Sequence, residues 1–129
     1  MMDTQLVLTG FLKRAARYFP NKQIISRTSP TMTHRIPFKD YVKRTHRLAD
    51  ALTKLGMTRG TKVGTFAWNH HRHLEAYFAI PCSGAILHTI NIRLAPEHIV
   101  YIINHAQDEI LLIDGDLFPL VEPALGHLK

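Results

Sequence analysis

The sequence of 129 residues has little that could support sulfur chemistry or a passage through a membrane. Its single cysteine, Cys82, excludes an internal disulfide and a metal site made of thiolates alone, and it fits a reducing compartment. No apolar run approaches the roughly 18–20 residues that a membrane-spanning helix requires. The stretch Met1 to Phe11 has no basic region ahead of an apolar block, unlike a secretory signal. We therefore expect a soluble cytoplasmic protein in which Cys82, following an apolar helix, acts as a small hydrophobe and not as a nucleophile.

Acidic residues are outnumbered, since 10 Asp and Glu face 16 Lys and Arg, and the net charge is +6 with a pI near 9.8. The basic side chains alternate with apolar positions on two predicted helices, which is typical of solvated helix faces. No dense basic run, zinc-finger spacing or aromatic and basic RNA-binding pattern occurs, so we expect no nucleic-acid partner. A small basic nucleic-acid binder remains an alternative that salt-dependent duplex binding would reveal. The helical basic residues are Lys13, Arg14, Arg17, Lys39, Lys43, Arg44 and Arg47.

The first half of the chain predicts a helix, a hairpin and a second helix. Apolar residues recur at helical spacing from Leu6 to Phe19. Two short strands, Gln23–Arg27 and Thr31–Ile36, are separated by a turn and predict a hairpin. Pro37 then opens an amphipathic helix, which Gly56 ends at the position of a left-handed cap.

The second half predicts alternating strands and helices. Strands are expected at Lys62–Trp68, Ala85–Ile90 and Glu109–Ile113, with helices at Asn69–Ser83 and from Pro96 to Ala106 between them. This succession implies parallel pairing through right-handed crossovers. The fold class is therefore α/β, with an amino-terminal helix and β-hairpin followed by a β-α-β-α-β unit. No closing element is evident in the residues after this unit.

The sequence offers no residues that we would assign to catalysis. The glycines Gly56, Gly60 and Gly64 match neither common nucleotide fingerprint and are interpreted as turn and packing residues. No serine lies in a nucleophile elbow. The remaining cluster, in which His70 and His73 are three residues apart and His71 and Glu75 four apart, supplies two possible pairs of metal ligands but no third ligand, so we expect no metal site.

Ligands of open parallel sheets bind beyond the carboxyl ends of the strands. The polar residues expected there are Asn69, His88 and Asn91, which we take as candidates for lining a substrate or CoA path. Hydrogen bonding at strand ends is the alternative role for these side chains, and for Asn69 that role is capping the following helix.

Four blocks occur in a recognisable order along nearly the whole chain. They are a Leu- and Ala-containing helix that leads through Arg59–Gly64 into a strand, the segment WNHHRHLEAYFA at Trp68–Ala79, the segment GAILHTINIRL at Gly84–Leu94, and the helix and strand within Tyr101–Asp114. Together they resemble the amino-terminal part of the AMP-forming adenylate ligase (acyl-CoA synthetase) family, of the medium- and long-chain fatty-acid–CoA ligase type. One departure is Ala95, where the family commonly has Ser or Thr as a helix cap, and this should cost about 1 kcal/mol.

The resemblance implies a single incomplete subdomain over residues 1–129 that serves fatty-acid activation in a complete enzyme. ATP, Mg and CoA are implied for the complete family member. The family's phosphate-binding loop, its adenine and magnesium segments, its hinge and its carboxy-terminal domain with the catalytic lysine have no counterpart here. We therefore expect no activity and no cofactor in this chain alone, and self-association through uncovered apolar surface. The alternative is a non-catalytic interaction module that pairs with itself or with full-length ligase.

Overall fold

The computed structural model describes residue 3 and residues 5–128. The elements are, in chain order, α1 Thr9–Tyr18, β1 Gln23–Arg27, β2 Thr33–Pro37, α2 Phe38–Lys54, β3 Lys62–Phe66, α3 His71–Cys82, β4 Ile86–Thr89, α4 Pro96–Ala106, β5 Ile110–Ile113, α5 Phe118–Val121 and a 3-10 helix at Glu122–His127. No helix within these described residues is long and apolar enough to cross a membrane.

The predicted hairpin is confirmed. Strands β1 and β2 pair antiparallel, with Gln23 opposite Pro37 and Arg27 opposite Thr33. The turn between them is fastened by the Ser29 hydroxyl, which accepts the N–H of Met32 at 3.0 Å. Such local side-chain acceptors are what favour serine in turns.

The predicted parallel β-α-β-α-β unit is also confirmed. Strands β3, β4 and β5 form one parallel sheet in the order β4-β3-β5. The first strand of the unit is therefore the central one. Its residues Val63, Gly64, Thr65 and Phe66 are all buried, as expected for a strand covered on both faces.

The two faces of the sheet contact different helices because successive strand residues point to opposite sides. On one face, Val63 packs in a core with Leu52 of α2 and Ile80 of α3. On the other face, Phe66 packs with Ile99 of α4. A third core joins Leu12 of α1, Ile36 and Tyr41, so α1 and the hairpin cover the layer formed by α2 and α3.

The end of α2 follows the sequence prediction. Gly56 has φ +102°, the left-handed conformation that glycine adopts without steric cost and that commonly follows the end of a helix. The start of α4 also matches, because Ala95 occupies the cap position without a side-chain hydrogen bond. The amide groups of the first turn of α4 therefore lack a side-chain acceptor from the cap.

The sequence predicted no helix or strand after β5, and this prediction is wrong. After β5, α5 and the 3-10 helix cover the α4 side of the sheet, where Leu117 and Val121 are buried in the same core as Phe66. Each of these two helices carries a proline in its first turn, at Pro119 and Pro123. Because these prolines are four residues apart, they break the segment into two short helices. Neither helix is long enough to show a helical pattern of apolar residues in the sequence.

Candidate functional site at the carboxyl ends of the strands

A cleft of about 430 Å³ opens where β3 and β4 end. Strand β3 ends at Phe66, two residues earlier than predicted, and the segment 67–70 leads into α3. The segment after β4 forms the opposite wall. The structure thus brings two of the three predicted residues, Asn69 and Asn91, into one cleft. The other lining residues are Ala67, Trp68, His73, Tyr77, Thr89, Ile90, Ile92 and Arg93.

The polar groups of this cleft include two side-chain amides and one cation, Arg93. Asn69 and Asn91 are exposed. The Asn91 side-chain oxygen accepts the N–H of Arg93 at 3.0 Å, so it also shapes its own loop. This arrangement can recognise neutral amide or hydroxyl groups, with Arg93 available to an anion at the rim.

His88 lies apart from the cleft. It stands on β4 directly opposite Gly64, on the face of the sheet that α4 covers. Its Nδ1 is 2.7 Å from Oδ2 of Asp108, whose side chain is fully buried. Since neighbouring residues of a strand face opposite sides, proximity to the strand end did not determine where this ring would point.

The start of α3 is organised by histidines. His70, with extended backbone at φ −143°, caps the helix and its Nδ1 accepts the N–H of His73 at 3.2 Å. Capping, the alternative role considered for Asn69, is therefore performed by the next residue, His70. His73 in turn reaches Thr65 through its Nε2 at 3.0 Å, and burial lowers its pKa. A neutral His73 ring thus backs the cleft beside Tyr77, with ring centres 5.0 Å apart.

Two carboxylates after β5 hold Trp68 at the mouth of the cleft. Asp114 Oδ2 accepts the backbone N–H of Trp68, and Asp116 Oδ2 accepts its indole N–H, both at 2.9 Å. His70 Nε2 also lies 2.8 Å from Asp114 Oδ2, although its orientation does not make a hydrogen bond. These pairings were not predicted from the sequence, in which two acidic residues after a buried strand were the available sign.

The histidine and glutamate pairs considered as metal ligands have other partners. Glu75 is buried and receives two hydrogen bonds from Arg44, at 2.7 and 3.3 Å. His71 stacks on His34 with ring centres 4.0 Å apart. Nowhere in the described ranges do three or more His, Cys, Asp or Glu side chains converge as metal ligands do. The two pairs therefore do not assemble a metal site with three protein ligands.

The glycines do not form a phosphate cradle. Gly56, Gly60 and Gly84 adopt positive φ, but Gly56 and Gly84 follow helix ends and Gly60 precedes β3. Gly64 lies inside β3. Phosphate loops place glycines where a helix begins, so these positions do not fit ATP phosphates.

Cys82 packs against the core that contains Leu12, Ile36 and Tyr41. Burial raises the pKa of its thiol, which disfavours the thiolate. The cysteine therefore behaves as the small hydrophobe that the sequence indicated.

Comparisons with known proteins give a consistent result. Residues 12–128 match the sequence profile of the family described as AMP-binding enzyme. The chain is 49% identical over its whole length to a long-chain-fatty-acid–CoA ligase of Thermus thermophilus, covering 24% of it. It is 39% identical over 99% of its length to a medium-chain-fatty-acid–CoA ligase of Ectopseudomonas oleovorans, covering 23% of that protein. Among solved structures, a long-chain-fatty-acid-CoA ligase of Archaeoglobus fulgidus superimposes with a TM-score of 0.87 at 20% identity, over 99% of this chain and 27% of the other.

Proposed function

Because the chain belongs to the AMP-binding enzyme family, we propose that it supplies the amino-terminal α/β subdomain of an ATP-dependent, AMP-forming fatty-acid–CoA ligase. The observation that carries this proposal is the identity of 49% to the long-chain ligase along all 129 residues. The chain spans about a quarter of the length of the relatives it matches, 24% and 23% for the two ligases compared. A cytoplasmic location, which the lone cysteine favours, is part of the proposal.

The proposed contribution of this subdomain is the wall of a path for substrate or CoA. Asn69 and Asn91 face the same cleft, and Trp68 is held beside them by two carboxylates. We do not include His88 among the residues that line this path, because its ring is hydrogen-bonded to Asp108. ATP and magnesium supply the adenylation chemistry in a complete enzyme, and the glycines of the described residues do not form a phosphate cradle.

Activity of a chimera tests the path. This chain replaces the matching part of the Thermus thermophilus ligase, and Asn69→Ala and Asn91→Ala are then introduced separately. Loss of an amide that contacts bound substrate or CoA costs about 1 kcal/mol, so we expect KM for one of them to rise roughly fivefold with kcat retained. Asn21→Ala, in the turn between α1 and β1, is the matched control. Unchanged KM values for fatty acid and CoA in both cleft variants would remove the path from the proposal.

The same proposal includes inactivity of the chain alone. Adenylation requires that the carboxylate and ATP be held in line with groups that stabilise the developing charge. The purified chain is incubated with ATP, magnesium and a fatty acid, and pyrophosphate release is measured beside the full Thermus thermophilus ligase. No release above the protein-free rate is expected. Fatty-acid-dependent turnover by the chain would contradict the proposal.

A second candidate function, self-pairing or pairing with a full-length ligase, is favoured by the outer strands. Strand β5 consists of Ile110, Leu111, Leu112 and Ile113, all only half-buried, and β3 is its one partner strand within residues 5–128. A free apolar edge favours pairing with a further strand. Light scattering should show mass increasing with concentration, and Leu112→Lys should reduce the increase. A monomer at all concentrations, together with no capture by a full-length relative, would exclude this function.

A further inference from the structure

The excess of positive over negative charge lies in the first third of the sequence. Residues 4–39 contain seven of the sixteen Lys and Arg residues and no Asp or Glu, whereas residues 40–129 contain nine of each sign. Five of these seven lie on α1 and the hairpin, Lys22 lies between the two, and Lys39 is in the first turn of α2. Evenly spread charges would give only a weak electrostatic field. The uneven distribution instead produces a positive electrostatic field around the first elements.

The helix in this basic region exposes its large apolar side chains. Phe11 is 65% exposed and Tyr18 59%, while the only buried residue of α1 is Leu12. Positions 11 and 18 lie two turns apart on one face, away from the groove where Leu12 packs. The segment before the helix continues the apolar surface, because Leu6 is 90% exposed.

Cations lie over two exposed aromatic rings at the carboxyl end of α1, those of Tyr18 and Phe19. The Arg14 guanidinium is 5.5 Å from the centre of the Tyr18 ring and 5.9 Å from that of Phe19. Arg17 is 5.5 Å from Tyr18, and Lys22 is 5.4 Å from Phe19. Charged and apolar groups thus share one surface. We call it the aromatic-basic patch, composed of Phe11, Arg14, Arg17, Tyr18, Phe19 and Lys22, with Lys13 at its edge.

We propose that the aromatic-basic patch docks α1 in the plane of an anionic lipid membrane. A membrane interface accommodates both parts of the patch, because apolar side chains enter the boundary between headgroups and acyl chains while Lys and Arg bind anionic headgroups. A nucleic-acid duplex would neutralise the cations but leave Leu6 and Phe11 in water. The charge complementarity and the exposed rings together therefore select the lipid surface.

Co-sedimentation of the chain with lipid vesicles tests whether the aromatic-basic patch binds an anionic membrane. Vesicles of phosphatidylcholine alone are compared with vesicles containing about one third phosphatidylglycerol. Binding to the anionic vesicles only, weakened when salt is raised from about 0.1 to 0.5 M, is expected. Lys13→Gln with Arg17→Gln should weaken vesicle binding roughly 25-fold, at about a factor of five for each cation near the surface. Phe11→Ser should weaken it by about tenfold or more.

Matched controls separate docking from bulk charge and from misfolding. Lys54→Gln with Arg59→Gln removes two exposed cations from outside the patch. Tyr101→Ser removes an aromatic side chain with the same 65% exposure as Phe11, but from α4 on the opposite side of the sheet. Both controls should bind like the unmodified chain, and circular dichroism should show all variants folded. Equal losses in patch and control variants, equal binding to neutral vesicles, or release from vesicles by duplex DNA at equal phosphate concentration would overturn the proposal.

Discussion

Gly64 in the central strand is a position where one methyl group should destabilise the whole fold. A Cβ at this residue would lie 2.6 Å from Cδ2 of Leu111 and 2.8 Å from Oδ2 of Asp108. Leu111 can rotate away, but Asp108 is buried and hydrogen-bonded to His88 at 2.7 Å. The glycine therefore makes room for a hydrogen bond that passes over the central strand, from His88 on β4 to Asp108 in the turn before β5.

The cost of Gly64→Ala follows from these contacts. Overpacking of a core by one methyl group costs about 1–3 kcal/mol. Displacing Asp108 weakens its hydrogen bond to His88, which contributes about 1–3 kcal/mol. We expect a total loss of about 3 kcal/mol in the free energy of unfolding, measured by urea denaturation followed by far-ultraviolet circular dichroism. With a slope of about 2 kcal/mol per molar, the midpoint should fall by more than 1 M.

Gly10→Ala is the matched control for this substitution. Gly10 is exposed in α1 and a Cβ there meets nothing within 4 Å. Alanine at this helical position should stabilise the chain by about 0.5–1 kcal/mol. The two Gly→Ala changes should therefore have opposite signs. A Gly64→Ala midpoint equal to that of the unmodified chain would refute the steric reasoning and the importance of the Asp108 bridge.

Three further changes address single interactions. Ala95→Ser should supply the missing cap of α4 and stabilise the fold by about 1 kcal/mol, which should raise the thermal midpoint by about 4 °C. An unchanged midpoint would show that the amides of the first turn have other acceptors. Tyr41→Phe should lower the free energy of unfolding by about 1 kcal/mol, because the Tyr41 hydroxyl donates to the carbonyl of Leu74 at 2.8 Å and joins α2 to α3. An unchanged midpoint in urea denaturation would contradict this. Burial, with His34 adding to it, lowers the pKa of His71 to about 4, so the unfolded chain binds more protons between about pH 6.5 and 4 and stability should fall as pH drops through that window. His71→Gln should flatten this part of the stability profile, and an identical slope would disprove the assignment.

The sequence was most informative where backbone patterns decide the outcome. The strands around Val63 and Ile110 follow from short apolar runs separated by helices, and parallel pairing follows from the crossovers. It was less informative where one residue of offset matters. Asn69 and His70 are both able to cap a helix, and the backbone conformation of His70 made the choice. His88 was placed correctly on its strand, but the fold determined that its ring meets Asp108, a residue 20 positions later.

The strand order β4-β3-β5 bears on how the protein is assembled during synthesis. Strand β3 leaves the ribosome first, and β4 and β5 then add to its two sides in the order in which they are made. The first pairing closes over the short α3 crossover, and the second can use the free side of a strand already held in place. No finished pair of strands has to separate to admit a later one.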